Sequence, residues 1–125
     1  GIARGAGRFV LVGAFGGERS DHAMLHAFQA LNLARRGIDV LMTSGLEEAV
    51  PLCAGTREFQ LRMGAIFSLI GFGDMSRVTI SGARWPLDDR QVPMGSSLTL
   101  SNIAEGTVSV TIGQGEGLFM TSSSA

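Results

Sequence analysis

Apolar and polar positions divide the chain into two stretches of different character. Residues 9–14 form a short continuous apolar run bounded by glycine, which reads as a buried strand of the parallel-sheet kind. A Gly-containing turn follows at 15–20, and then the period changes. Met24, Phe28, Leu31 and Ala34 fall at helical spacing, with Leu25 and Ala27 widening the stripe. This predicts a helix over 21–36, with Ser20 as N-cap, Asp21 in the first turn, Arg35 and Arg36 in the last, and Gly37 at C′. Residues 38–43 read as a second strand, which completes a β-α-β unit.

Beyond Pro51 no helical stripe returns. Residues 57–62 alternate loosely and 65–70 are apolar. Short strands are expected at 78–81, 91–94, 98–101, 108–112 and 118–120. Closely spaced turn signals separate them, among them Gly71, Gly82, Pro86, Asp88-Asp89, Gly95, Gly106 and Gly115. The fold class is therefore α/β followed by all-β: a partial, Rossmann-like β-α-β segment and then an antiparallel β-sandwich. The expected division is 1–52 for the α/β part and 53–125 for the sandwich. A lone β-α-β unit has too few strands to close a stable sheet. Either further α/β sequence precedes Gly1, or another chain completes the sheet. The chain opens on Gly rather than Met, so a processed or truncated piece is expected.

Composition then narrows the chemistry. The chain has 125 residues, enough for one domain or two small lobes, and a formal charge of −1. That charge gives no general attraction to nucleic acid or anionic membrane. All ten basic residues are Arg, so P-loop, Schiff-base and Ser-x-x-Lys chemistry is excluded. One cysteine excludes an intrachain disulfide and a multi-cysteine zinc site, and it fits a reducing compartment. No apolar run reaches the ~18 residues of a membrane span, and no signal peptide precedes the first strand. A cytoplasmic protein is expected. The 18 glycines are about twice the usual ~7% share and suit a chain rich in tight turns.

The densest constellation is Gly16-Gly17-Glu18-Arg19-Ser20-Asp21-His22, between a strand end and a helix start, where anions bind. Arg19 has the fork to clamp phosphate oxygens. Asp21 could orient it, join a magnesium shell or accept a proton, or simply cap the helix. His22 and His26 share a helix face, but the Glu of a His-Glu-x-x-His site is absent. Trp85, beside Pro86, is expected to plug the sandwich core, with stacking on a flat ligand as the alternative. Ser97, Thr99 and Ser101 alternate onto one face of an expected strand, as a solvated stripe or as pocket donors. Cys53 is expected to be a small buried residue, and Met24 and Met63 core filler.

The order of these motifs resembles the thiamine pyrophosphokinase family. The segment Gly13-Ala14-Phe15-Gly16-Gly17, with Arg19-Ser20-Asp21-His22, is similar to that family's G-A-x-G-G-R-x-D-H. Residues 78–87 resemble its T-x-x-G-L-x-x-P-L stretch, and 95–102 its G-S/T-x-x-x-x-S-N stretch. The resemblance runs from Phe9 to Met120. It implies transfer of pyrophosphate from ATP to thiamine with Mg²⁺, giving thiamine diphosphate and AMP. It also implies a nucleotide-binding α/β domain, a thiamine-binding sandwich and a homodimer. Carried over, Arg19 and Asp21 become catalytic, and Gly16, Gly17, Arg19 and His22 nucleotide-binding. Thr99, Ser101, Asn102 and Phe119 become thiamine-binding. Glu18 lengthens the family's spacing before Arg19, His26 stands for Asn, and Ile103 for Glu. The acidic G-D-x-D-S and D-x-T-D motifs that hold magnesium would lie before Gly1. The alternatives are a non-catalytic sandwich module that dimerises or binds a small heterocycle, and another nucleotide-binding α/β protein using the Gly16-Gly17 turn.

Overall fold

The computed structural model describes residues 9–12, 20–44 and 46–122. Among them a single helix and nine strands alternate in the order β1 (Phe9–Val12), α1 (Ser20–Arg35), β2 (Val40–Thr43), β3 (Glu47–Leu52), β4 (Gly55–Gln60), β5 (Ile66–Gly71), β6 (Met75–Ala83), β7 (Leu87–Val92), β8 (Asn102–Gln114) and β9 (Gly117–Ser122). β1 and β2 pair in parallel, and every other strand pair is antiparallel. One layer runs β1-β2-β3-β9-β5, and the second is built on β8, flanked by β4 and β6, with β7 outside β6. β8 joins the layers, because its first residues pair with β5 before it turns into the second layer.

Period-two burial explains this arrangement. Along β8, Ala104, Val108, Val110 and Ile112 point inward, and Val78 and Ile80 of β6 meet them. Val50 and Leu52 of β3, Phe67 and Leu69 of β5 and Phe119 of β9 close the same core from the other layer. α1 covers the outer face of the first layer through Ala30, against Val40, Met42 and Ala49, with Leu118 and Met120 at the margin. It ends as expected. Ile38 N donates to Leu33 O at 3.1 Å, Gly37 N to Ala34 O at 2.9 Å, and Gly37 has φ 82°.

Several expectations are corrected. The helix meets the sheet through Ala27, Ala30 and Leu33, and Leu31 of the expected stripe is buried, but Met24, Leu25 and Phe28 are exposed, and Met63 is exposed too. The edge of β2 away from β1 is filled from within the chain by β3, whose register runs on to β9. β3 has no counterpart among the expected strands because Pro51 reads as a breaker. It is tolerated there because the β2–β3 register ends at Ala49, where no ladder bond from β2 is needed. The strand expected at 91–94 lies earlier, at Leu87–Val92, so Asp88 and Asp89 sit in a strand rather than a turn. Asp89 marks an irregularity there, with φ 53° and its N–H donated to Thr79 Oγ1 at 3.1 Å.

Residues 98–101 are not a strand. Leu100 N donates to Ser97 O at 3.1 Å and Leu98 N to Ser96 Oγ at 3.1 Å, which curls the segment into turns. The alternation of Ser97, Thr99 and Ser101 onto one face is lost with it.

Candidate functional site

Of the expected phosphate-side residues, Gly16, Gly17 and Arg19 lie outside the described residues. Asp21 and His22 occupy the first turn of α1, both exposed, and His22 N donates to Asp21 Oδ1 at 2.9 Å. Among the described residues no group of three His, Cys, Asp or Glu side chains could hold a metal ion. A single exposed carboxylate at Asp21 does not fit a magnesium site by itself.

Three of the four expected thiamine-side residues, Thr99, Ser101 and Asn102, lie together on a turn that meets Trp85, a residue expected in the core. Thr99 and Asn102 are the buried polar residues among those described, 2% and 4% exposed. The Thr99 hydroxyl donates to Leu69 O, and Leu69 N donates back to Thr99 O at 3.0 Å. Ser101 N donates to Ser68 Oγ at 2.9 Å. These bonds stitch the turn to β5 and leave Ser101 exposed at φ 55°, a backbone region that costs a non-glycine residue about 1–3 kcal/mol.

Asn102 then reaches across to Trp85. Its Oδ1 accepts from Trp85 N at 3.1 Å and from Ile103 N at 2.8 Å, and its Nδ2 donates to Trp85 O at 2.9 Å. Arg84 N donates to Ile103 O at 2.9 Å alongside. A register shift between Ser81 and Ala83 on β6 swings this corner off the sheet. Trp85 is therefore not the core plug expected of it. It is 53% exposed, with the Arg84 guanidinium 5.6 Å from its ring centroid.

Phe119 is 2% exposed, stacked on Phe59 at 3.9 Å between centroids and on Phe67 at 5.3 Å. Its edge helps line a cleft of about 230 Å³ with Glu48, Arg57 and Thr121. Cys53 is only partly buried, with Sγ 3.9 Å from Glu116 Oε2. Burial, chiefly, and then the neighbouring Glu116 charge push its thiol pKa up.

Residues 56–117, which hold the Trp85–Asn102 corner, match the family model for the thiamin pyrophosphokinase, vitamin B1 binding domain. This segment belongs to that family. Solved structures agree in fold. The thiamine pyrophosphokinase of Bacillus subtilis superposes with a TM-score of 0.86 at 19% identity, over 93% of this chain and 55% of that one. The enzyme of Geobacillus thermodenitrificans gives 0.84 at 23% identity, over 96% and 56%. The thiamin pyrophosphokinase of Candida albicans gives 0.79 at 11% identity, over 92% and 44%. The chain thus spans little more than half the length of these bacterial proteins. No curated protein sequence matches it.

The face centred on Trp85 is the one that sequence reasoning placed second, behind a core plug. Its signal was the tryptophan beside Pro86, which prevents the backbone there from continuing a ladder.

Proposed function

We propose that this chain is the thiamine-binding part of a thiamine pyrophosphokinase, which transfers pyrophosphate from ATP to thiamine. The family match over 56–117 carries this reading, and the exposed Trp85 beside Ser101 supplies a physical basis for it. Thiamine is a flat aminopyrimidine joined to a cationic thiazolium. An exposed indole on a backbone held by Asn102 offers the first ring a stacking platform, and an exposed hydroxyl offers it a directed hydrogen bond. In this reading Thr99, Asn102 and Phe119 hold the frame, while Trp85 and Ser101 make contact.

The reaction proposed for the whole protein needs positioning more than covalent help. The thiamine hydroxyl oxygen attacks the β-phosphorus of ATP, and the bond from that phosphorus to the oxygen bridging the α-phosphate breaks. AMP leaves with that oxygen, and the hydroxyl proton passes to a base or to water. β1, α1 and β2 are proposed as part of a nucleotide-binding α/β unit. There Gly16, Gly17, Arg19 and His22 would meet the phosphates and Asp21 would orient Arg19. The described residues do not form a magnesium site, so the carboxylates for that ion are proposed to come from elsewhere in a longer protein.

The proposed protein partner is a second copy of the chain. Ile66 and Ile70 of β5 are exposed on one face, with exposed Leu98 and Leu100 on the turn stitched to that strand. A cytoplasmic location is proposed with this function. Among the described residues no helix is long and apolar enough to cross a membrane.

Calorimetric titration of the chain with thiamine tests the binding part of the reading. Saturable binding that alters Trp85 fluorescence is expected, and its absence overturns the reading. For the transfer itself, the protein extended to its relatives' length should release AMP from ATP only when thiamine is present. Arg19→Ala should slow that release at least tenfold, the loss expected of a charge-assisted phosphate contact.

A further inference from the structure

We infer that Asn102 is a positioning residue, acting on the ligand only through Trp85. The inference rests on the reading of the Trp85 face as the thiamine platform and assigns Asn102 its part there.

The hydrogen-bonding groups of Asn102 are already committed within the fold. A carboxamide oxygen has two lone pairs. Both are taken at Asn102, by the N–H groups of Trp85 and Ile103 at 3.1 and 2.8 Å. The amide nitrogen faces Trp85 O at 2.9 Å. The opposite orientation of the amide would set its NH₂ against two N–H donors and its oxygen against a carbonyl, so chemistry fixes the orientation. No acceptor on Asn102 is left for a ligand, and with the residue 4% exposed the second N–H of its amide is shielded from one by burial.

What the carboxamide does instead is grip both polar groups of one residue, the N–H and C=O of Trp85. That residue lies at a corner, where β6 has shifted register and β7 has not begun, so strand pairing does not hold it. The adjacent link from Arg84 N to Ile103 O completes the lock. Two segments distant in sequence, Arg84-Trp85 and Ser101-Asn102, are thereby held as one unit. The backbone that carries the indole is held relative to the backbone that carries the Ser101 hydroxyl.

Thiamine titrations of four chains test this by calorimetry: unmodified, Asn102→Asp, Trp85→Ala and the double variant. Asn102→Asp retains the oxygen that accepts from two N–H groups and turns a second oxygen onto Trp85 O in place of the donor. Each single variant should weaken binding about tenfold, and the double variant should be no weaker than Trp85→Ala alone. A double variant weaker by the product of the two losses overturns the inference, because Asn102 would then act independently of the indole.

Trp85 is the sole tryptophan, so its fluorescence anisotropy reports its own mobility. The anisotropy should fall in Asn102→Asp. Unchanged anisotropy with unchanged affinity also overturns the inference. Should Trp85→Ala bind thiamine normally, the ligand reading of this face fails, while the anisotropy still tests the coupling. If Asn102→Asp does not fold, hydrogen exchange in the unmodified chain decides. Thiamine should slow exchange at the Trp85 and Ile103 amides, and equal protection with and without it overturns the proposal.

Discussion

Arg35, the last residue of α1, holds Glu116 in the turn between β8 and β9 with two parallel hydrogen bonds of 2.5 Å. The pair ties the helix to the far end of the chain. Both side chains retain solvent contact, so the tie is screened and weak on the stability scale. The hydrogen bond from Arg35 holds the Glu116 carboxyl below its ordinary range. The folded state therefore binds fewer protons at Glu116 than the unfolded state does. This stabilisation is complete above the ordinary carboxylate pKa and is lost as pH falls through the lowered one. Glu116→Gln should flatten that acid limb of the thermal-midpoint profile and speed amide exchange in the last turn of α1. An identical acid limb in the variant would show that the tie contributes nothing.

Gly82 has φ 77°, and a Cβ built there would lie 1.9 Å from Thr107 O. The obstacle is the backbone of β8, which cannot rotate aside as a side chain would. Gly82→Ala should therefore cost about 2–4 kcal/mol, the scale of left-handed strain joined to a core displacement. It should also move the Trp85 corner, since the register shift between Ser81 and Ala83 spans this position. Urea unfolding gives the first quantity, and the Trp85 emission maximum reports the second.

The sequence made the regular parts legible and concealed the corners. α1, its Gly37 terminator and the 108–112 part of β8 obey local rules and appear where periodicity places them, although β8 itself begins earlier, at Asn102. The face of α1 was misjudged because apolar spacing cannot tell which of Phe28 and Ala30 meets the sheet. Close approach of the helix favours Ala30. At the site, Ser101 and Asn102 were visible as a motif, but their bonds were not. Asn102 is polar like a ligand contact and buried like a core residue. Only its three backbone partners, two of them seventeen positions away at Trp85, separate these roles.

Phe119 gives a prediction that distinguishes framework from contact. Its ring lies parallel to Phe59, with an interplanar angle of 5°, and packs against Phe67 behind. Phe119→Ala should destabilise the chain by about 3–5 kcal/mol, through lost burial and the cavity left between the layers. Phe119→Leu should cost about 1–2 kcal/mol and keep thiamine affinity within about twofold. A Leu variant of near-normal stability that binds tenfold more weakly would make Phe119 a contact residue after all.

Thr99 places a hydroxyl where the core would accept a methyl group. Its Oγ1 donates to Leu69 O, while Leu69 N bonds back to the Thr99 carbonyl, so the turn stands in for a missing strand beside β5. Thr99→Val keeps the shape and removes the donor, which should cost about 1–2 kcal/mol, the scale of a lost buried hydrogen bond. Thr99→Ser keeps the donor and loses a methyl group, for about 1 kcal/mol. The two variants should differ more in function than in stability. The Thr99 bonds help hold Ser101 at positive φ, so the Val variant should bind thiamine more weakly than the Ser variant at equal folded fraction. Equal affinity in the two would mean that Ser68, through its bond to Ser101 N, holds the turn without help from Thr99.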